Sequence, residues 1–483
     1  MHSLPQNGLN SKSLGEIFFD ILKNKADHTK IAMIDKVTKK QLNYAELLDQ
    51  SLKVAEELKA LGVANGDFVG IVSGNRPEFF VPVLACFFIG ATIHPINSIY
   101  LLRELKSAFA NSKPKIIFTT DESLKKVQDL QADTDYIENI INFDRNYLSI
   151  VQERSGLIEE EIVSNCDSDS AVILSSSGTS GLPKSVVLTQ GNIKCSFNYL
   201  KYPYITVNYD DVIVGMMPYF HVLGFLVGIS NIYSLSLMVT LQKFQPNHYC
   251  EIIEEFNVTS LQIVPSIGVF LAKHPMVKKY DFSTVKDIVC GAAPLGAEVQ
   301  SILEKRFNCK VRQMYGMTET CGVISLVPMG EESKIGSVGK RFPWVDIKII
   351  DIDTKEEMAQ GGIGEMCVKT AQNMKGYLNM EEETKSMYLE DGYLRTGDIG
   401  FVDENGEIFI VDRLKELIKY KGFQVSPSEL EDILNSHEYI VESGVVGLPD
   451  ERAGELPMAF VVKRDNVDLS EEAVKEFLAG KLR

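Results

Sequence analysis

Ten residues, Ser175-Ser176-Ser177-Gly178-Thr179-Ser180-Gly181-Leu182-Pro183-Lys184, set hydroxyls, glycines and one lysine between two apolar runs. Ala171-Val-Ile-Leu174 before them and Val186-Val-Leu188 after them are short and β-branched, which predicts strand, long loop, strand. Such a loop suits a polyphosphate, because glycine lets the backbone approach phosphate oxygens, hydroxyls donate hydrogen bonds and Lys184 brings a mobile charge. The spacing is not that of a P-loop, which places four residues between its first glycine and Gly-Lys-Ser/Thr and then starts a helix. Taken alone, a Ser/Gly-rich stretch also fits a plain surface connection, so the rest of the chain has to decide.

At 483 residues the chain is too long for one ordinary domain. Its 49 Lys and Arg against 66 Asp and Glu give a net charge of −17, which disfavours a nucleic-acid partner and requires any bound phosphate to be met by locally concentrated cations such as Lys184, Arg395 and Arg413. The eight cysteines form no CxxC pair, and the seven histidines no HExxH, so free thiols in a reducing compartment are expected and a zinc site is not. Met1-His-Ser-Leu-Pro carries no secretory pattern. Between Val212 and Gln242 there is no Asp, Glu, Lys or Arg, yet Pro218, His221, Asn231 and several serines and glycines interrupt the run. We read it as a buried strand, a turn bearing His221, a core helix and a second strand, with no transmembrane span.

Near-continuous apolar runs alternate with amphipathic stretches, as in Phe68 to Ser73 followed by Glu78 to Ile89, which argues for an α/β architecture of sheets covered by helices. From Lys334 to Gly400 short Gly-bounded strands predict a small β-barrel-like unit. The domain boundary is expected at Asp412-Arg413-Leu414-Lys415, dividing residues 1–412 from 413–483. Beyond it, Ser426-Pro-Ser-Glu429 has the form of a capping box opening a helix whose apolar face is Leu430, Ile433 and Leu434, the start of a small α+β domain.

The loop and five further segments resemble the adenylate-forming superfamily of acyl-CoA synthetases, hydroxycinnamate-CoA ligases and beetle luciferases. The further segments are Met217 to His221, Gly291 to Leu295, Gln313 to Thr320, Gly392 to Asp398 and Asp412 to Val425, all in the expected order, and the resemblance runs from about Leu42 to the last residue. It implies a large domain of two sheet-and-helix subdomains plus the barrel, then a mobile cap that the end at Arg483 would leave incomplete. It further implies that ATP and Mg²⁺ activate a fatty or aryl carboxylic acid as acyl-AMP, and that coenzyme A then receives the acyl group.

The roles the resemblance implies are specific. Ser176, Ser177, Gly178, Thr179, Ser180, Gly181 and Lys184 would hold the β- and γ-phosphates, Thr318 the α-phosphate, and Glu319 the Mg²⁺. Gly291, Ala292, Ala293 and Pro294 would wall one face of the adenine, with Tyr315 stacking on the other and Gln313 and Gly316 beside it. Asp398 would grip the ribose hydroxyls, and Arg413 would lie near the ribose or phosphates. His221 would border the acid, although it also reads as a hydrogen-bonded core residue. Lys415 would be the pivot of the cap, and Lys419 with Gly422 the loop reaching the site in a second pose, although both lysines also fit a solvated face.

Departures from the family pattern are Ser185 for a glycine and Gln190 for a histidine, both outside the phosphate-contacting core. Gly480-Lys481-Leu482-Arg483 echoes the pattern around the family's adenylation lysine but lacks the preceding proline loop, so Lys481 is not read as catalytic. Compared with luciferases, Val222-Leu223 replace Gly-Phe, Ala292 replaces a glycine and Lys201 an arginine, which favours CoA ligation over a luciferin-oxidising activity, while the absent adenylation lysine leaves a catalytically weak adenylate binder as a third reading. The expected context is an intracellular monomer or weak homodimer, peroxisomal or cytoplasmic.

Overall fold

The computed structural model describes residues 11–176, 183–200, 204–205, 207–421, 423–450, 452–464, 467–479 and 481. Two large sheets and one small sheet organise the chain. The seven-stranded sheet runs in the order Gly376–Tyr377, Lys184–Thr189, Ser170–Ser176, Thr92–Ile96, Phe68–Val72, Ile116–Thr119 and Asn139–Asn142. Its strands from Ser170–Ser176 onward pair parallel, while Lys184–Thr189 and Gly376–Tyr377 are antiparallel additions at one edge. The two-residue edge strand comes from nearly 200 positions further along the chain, and its pairing of Tyr377 with Val186 places that tyrosine beside Lys184.

Helices cover these strands for local reasons. Tyr44–Ala60 starts at Asn43, whose side chain accepts from the Glu46 N–H at 2.7 Å while the Glu46 carboxylate accepts from the Asn43 N–H at 2.8 Å. Phe80–Ile89 is apolar on every side and wholly buried, as a helix without a polar face must be. Phe80 lies 4.9 Å from the Tyr219 ring, and a Cβ on Gly228 would stand 1.9 Å from the Phe80 ring, so the helix Val222–Ser234 seats directly on it. One apolar core thereby spans the first two sheets.

The uncharged stretch after Val212 resolves into strand Val212–Gly215, helix Val222–Ser234 and strand Leu237–Thr240. Among the described residues, no helix is long and apolar enough to cross a membrane. These strands belong to a thirteen-stranded sheet whose parallel half runs from Ile31–Asp35 to Val311–Met317. Val311–Met317 pairs parallel with Asp287–Cys290 on one side and antiparallel with Gly322–Leu326 on the other.

The segment expected to form a barrel-like unit forms an open antiparallel wing of that sheet. Asp346–Ile350 ends the wing, paired with Gly364–Lys369 along its inner side, and the order of strands gives it no second neighbour. Short Gly-bounded strands encode pairing and turns, and closure further requires the first and last strands to meet.

The last sheet has the order Phe423–Val425, Ile418–Tyr420, Gly454–Lys463 and Ile440–Asp450, with a core of Ile418, Leu430, Leu434, Ile440 and Val445. Helix Pro427–Asn435 begins where the sequence predicts, with Ser426 Oγ accepting from the Glu429 N–H at 3.2 Å. The Ser426 hydroxyl in turn donates to the buried carboxylate of Asp412, which also accepts from the Ser428 N–H at 3.3 Å. An acid at the end of one sheet thus serves as negative charge at the helix N-terminus of the next.

Candidate active site

Ser176 and Lys184 face each other as register partners on the antiparallel strands Ser170–Ser176 and Lys184–Thr189, so both ends of the hydroxyl-rich loop are held. Ser177, Gly178, Thr179, Ser180 and Gly181 lie outside the described residues, as do Lys201 and Gly422. Ser176 Oγ is buried on the wall of a cavity with no hydrogen-bond partner among the described residues, the condition of a donor awaiting a ligand oxygen. Lys184 lines the same cavity, its Nζ 4.7 Å from the centre of the Tyr377 ring and without an ion-pair partner among the described residues.

Across the cavity the chain turns sharply after Val311–Met317. A short helical turn, Thr318–Thr320, is followed by Cys321 at φ 48° and Gly322 at φ 87°. A Cβ on Gly316 would fall 2.0 Å from the Gly322 carbonyl oxygen, so only glycine allows this return. The turn aims Thr318 and Glu319 into the cavity. Glu319 Oε1 accepts from the Tyr377 hydroxyl at 2.9 Å, and the Glu319 carbonyl accepts from the Met374 N–H at 2.8 Å.

Asp398, on strand Leu394–Val402, receives the Tyr315 hydroxyl at 2.5 Å on Oδ2, while Arg413 Nε stands 3.3 Å from Oδ1. Burial pushes the Asp398 carboxyl above its usual range, opposed by the Tyr315 hydrogen bond and the Arg413 charge. The same burial, with Asp398 beside it, raises the Tyr315 phenol well above its ordinary value, so the phenol remains a donor. Gln313 is buried and not on the cavity wall: it accepts from the Leu295 N–H at 2.9 Å and donates to the Leu295 carbonyl at 3.3 Å and to Gln300 Oε1 at 3.1 Å. The residue thereby anchors the Gly291–Leu295 loop. Gly291 packs so closely that a Cβ would meet Met314 at 2.7 Å, and Ala292, at φ 73°, is the residue of this loop on the cavity wall. Ala293 and Pro294 are exposed beside it.

His221 caps the helix Val222–Ser234, its Nδ1 accepting from the Leu223 N–H at 3.3 Å. The ring opens onto the cavity, but the protein around its other sides lowers the imidazole pKa, and a neutral ring accepting on Nδ1 carries its proton on Nε2. From His221 the cavity, about 620 Å³ in all, continues between Tyr199, Val207, Leu226, Val227 and Val323. The wall is therefore charged around Lys184, Glu319, Asp398 and Arg413, and mostly apolar around Leu226, Val227 and Val323, with Ser230, Asn231 and Gln262 among its polar members. Lys415 and Arg413 are on the wall, whereas Lys419 sits on Ile418–Tyr420 away from it, its N–H donating to Glu455 at 2.7 Å. Lys481 stands 5.9 Å from the Phe477 ring at the end of the last helix.

The sequence profile of the AMP-binding enzyme family matches residues 22–378, and that of the AMP-binding enzyme C-terminal domain matches residues 429–483. The chain belongs to the AMP-binding enzyme family. Among similar proteins, luciferin 4-monooxygenase of Nipponoluciola cruciata is 37% identical over 94% of this chain and 85% of its own length. The 4-coumarate–CoA ligase 1 of Petroselinum crispum is 36% identical over 93% and 85%. The crystal structure of ATP-bound MatB from Rhodopseudomonas palustris superposes with a TM-score of 0.89 at 29% identity, covering 97% of this chain and 92% of that one.

In this AMP-binding enzyme the structure brings Ser176, Lys184, His221, Ala292, Gly316, Thr318, Glu319, Asp398, Arg413 and Lys415 to one cavity. Gly291, Ala293, Pro294, Gln313, Tyr315 and Lys419 are not on its wall, although Tyr315 reaches it through the hydrogen bond to Asp398. Sequence reasoning missed Tyr377 and Thr396, both on the wall. Thr396 Oγ1 accepts from the Asp398 N–H at 3.0 Å and donates to the Met366 carbonyl at 2.8 Å, fixing the approach of the acid. Its adjacency to Asp398 was a usable signal; Tyr377 had none.

Proposed function

We propose that this chain is an ATP-dependent acid–thiol ligase that converts a fatty or aryl carboxylic acid to its acyl-AMP and passes the acyl group to coenzyme A. The observation that carries the reading is a single cavity lined in one part by Lys184, Glu319 and Asp398 and in another by Val222, Leu223, Leu226, Val227 and Val323. A carboxylate lying in the apolar part, with its oxygens towards His221, would attack the α-phosphorus of ATP, and pyrophosphate would leave. The thiol sulfur of coenzyme A would then attack the acyl carbon and release AMP.

The protein's contribution is orientation and charge stabilisation. Ser176 and Lys184 donate to the β- and γ-phosphates and Thr318 to the α-phosphate, where negative charge builds in the transition state. Asp398 holds the ribose, Arg413 offsets the charge of Asp398 and of the nucleotide, and the Nε2–H of neutral His221 orients the attacking carboxylate. Mg²⁺ would supply charge neutralisation on the phosphates. Glu319, a single carboxylate on the cavity wall, would hold the ion together with substrate phosphate oxygens. We read residues 1–412 as the large domain and 413–483 as a partner segment that moves about Lys415, bringing Lys419 to the site in a second pose.

A second reading is oxidation of an adenylated luciferin, favoured by the identity to luciferin 4-monooxygenases. The deciding experiment measures pyrophosphate and AMP release with panels of fatty and aryl acids, with and without coenzyme A, beside light emission with luciferin and oxygen. Acid-dependent release of pyrophosphate, with AMP formed on adding coenzyme A, supports the ligase. Light emission favours the second reading. ATP binding without any acid-dependent turnover would leave a nucleotide-binding protein and reject both.

A further inference from the structure

Tyr377 stands between the two groups that the ligase reading assigns to the phosphates and their metal ion. Its hydroxyl donates to Glu319 Oε1 at 2.9 Å, while its ring lies 4.7 Å beneath Lys184 Nζ. The backbone around it holds the same two elements. Tyr377 pairs with Val186, the Lys375 N–H donates to the Val187 carbonyl at 3.0 Å, and the Leu378 N–H donates to the Ser185 carbonyl at 2.9 Å. On the other side, the Met374 N–H donates to the Glu319 carbonyl at 2.8 Å. The tyrosine's own N–H is taken by Thr384 Oγ1 at 2.9 Å, and a Cβ on Gly376 would crowd Thr384 at 2.8 Å, so the residue has little freedom to turn.

Resting on that reading, we propose that Tyr377 is a positioning residue with two separable tasks: its hydroxyl orients the Glu319 carboxylate for the magnesium ion, and its ring holds the Lys184 ammonium for the phosphates. No ion pair joins Lys184 to Glu319 among the described residues, although both line the same cavity. A direct pair would have each group neutralise the other before the ligand arrived. With the aromatic ring between them, the lysine keeps its charge for phosphate, because a π-face attracts a cation without proton transfer or charge cancellation. The carboxylate oxygen that accepts from the phenol is held in place, and the carboxylate retains its charge for a hard cation.

The two tasks are separated by calorimetric titration of the full chain with ATP, once in EDTA and once with saturating Mg²⁺. Tyr377→Phe removes the hydroxyl and keeps the ring. We expect it to leave metal-free ATP binding unchanged and to weaken binding of the magnesium complex about tenfold, the scale of a hydrogen bond to a charged group. Tyr377→Leu removes the ring as well and should weaken metal-free ATP binding about threefold besides. Glu319→Gln should abolish the gain from Mg²⁺, and adding Tyr377→Phe to it should cost nothing more, because the hydroxyl acts through that carboxylate. Thermal melting of each variant separates these effects from loss of fold; if Tyr377→Leu melts early, Tyr377→Met takes its place as the ring-less variant, and unchanged metal-free ATP binding by the ring-less variant overturns the ring's task. Unchanged magnesium-complex binding by Tyr377→Phe, or full additivity with Glu319→Gln, overturns the positioning role while wild-type ATP binding leaves the ligase reading standing. Absence of ATP binding by the wild-type chain overturns both.

Discussion

Asp398 and Arg413 sit opposite each other in register on neighbouring antiparallel strands, Arg413 Nε 3.3 Å from Asp398 Oδ1. The acid's side chain is 8% exposed and the arginine's 50%, so the pair links an enclosed carboxylate to a solvent-facing cation just before the chain enters its last sheet. Asp412, one residue earlier, caps the first helix of that last part, so two successive residues tie the cavity to it from opposite directions.

Asp398→Asn keeps the shape of the acid and removes its charge. ATP affinity measured by calorimetry is expected to fall about tenfold or more, the scale of hydrogen bonds to an ionised group. Arg413→Met should cost less, about threefold, because its partnership with Asp398 is half exposed and screened.

His94 gives the fold a dependence on pH. The ring is fully buried against Phe109, Nδ1 lies 2.8 Å from Ser112 Oγ, and burial pushes the imidazole down to about 3. Below its ordinary value near 6.5 the unfolded chain binds a proton that the folded chain refuses, so this contribution is complete above pH 6.5 and is lost as pH falls towards 3. The slope is at most about 1.4 kcal/mol per pH unit. Urea midpoints at pH 7, 6 and 5 should drop less steeply for His94→Gln than for the wild type. His221, also lowered by burial, acts in the same direction.

Gly316→Ala places a methyl 2.0 Å from the Gly322 carbonyl oxygen, a backbone atom that cannot swing aside. A loss of about 1–3 kcal/mol in stability is expected. Since the displaced turn carries Thr318 and Glu319, magnesium-complex binding should be lost in protein that still shows a cooperative thermal transition.

Val227 lines the mostly apolar part of the cavity on the helix that His221 caps. Val227→Phe should raise the KM for the acid about tenfold or more by filling that part, with ATP affinity unchanged. An equal loss for ATP would place the acid elsewhere.

Much of the site was legible because its chemistry is carried by short segments. Ser176 and Lys184 flank a loop whose composition announces phosphate, and Thr318 with Glu319 and Asp398 with Arg413 lie in motifs read without knowledge of the packing. The illegible part consists of partners. Tyr377 meets Glu319 across 58 positions, and Tyr315 meets Asp398 across 83. Gln313 shares a motif and, two residues away on one strand, a face with Tyr315, yet its amide is taken by the Leu295 backbone, a partner 18 positions away that the motif does not name. The barrel-like expectation failed for a similar reason: strand and turn are local properties, and closure is not.

From the amino acids alone came the family, the two strands on either side of the hydroxyl-rich stretch, the helix start at Ser426 and the placement of His221 at a turn, since each depends on residues within a few positions of one another. Sheet order settled the rest. An edge strand of two residues brings Tyr377 under Lys184, a glycine return beside Gly322 aims Glu319, and the exit from Glu407–Arg413 puts Lys415 on the cavity wall while Lys419 stays off it. Backbone pairing and close packing over long stretches of chain decide such neighbours, and nearest-neighbour preferences carry no record of them.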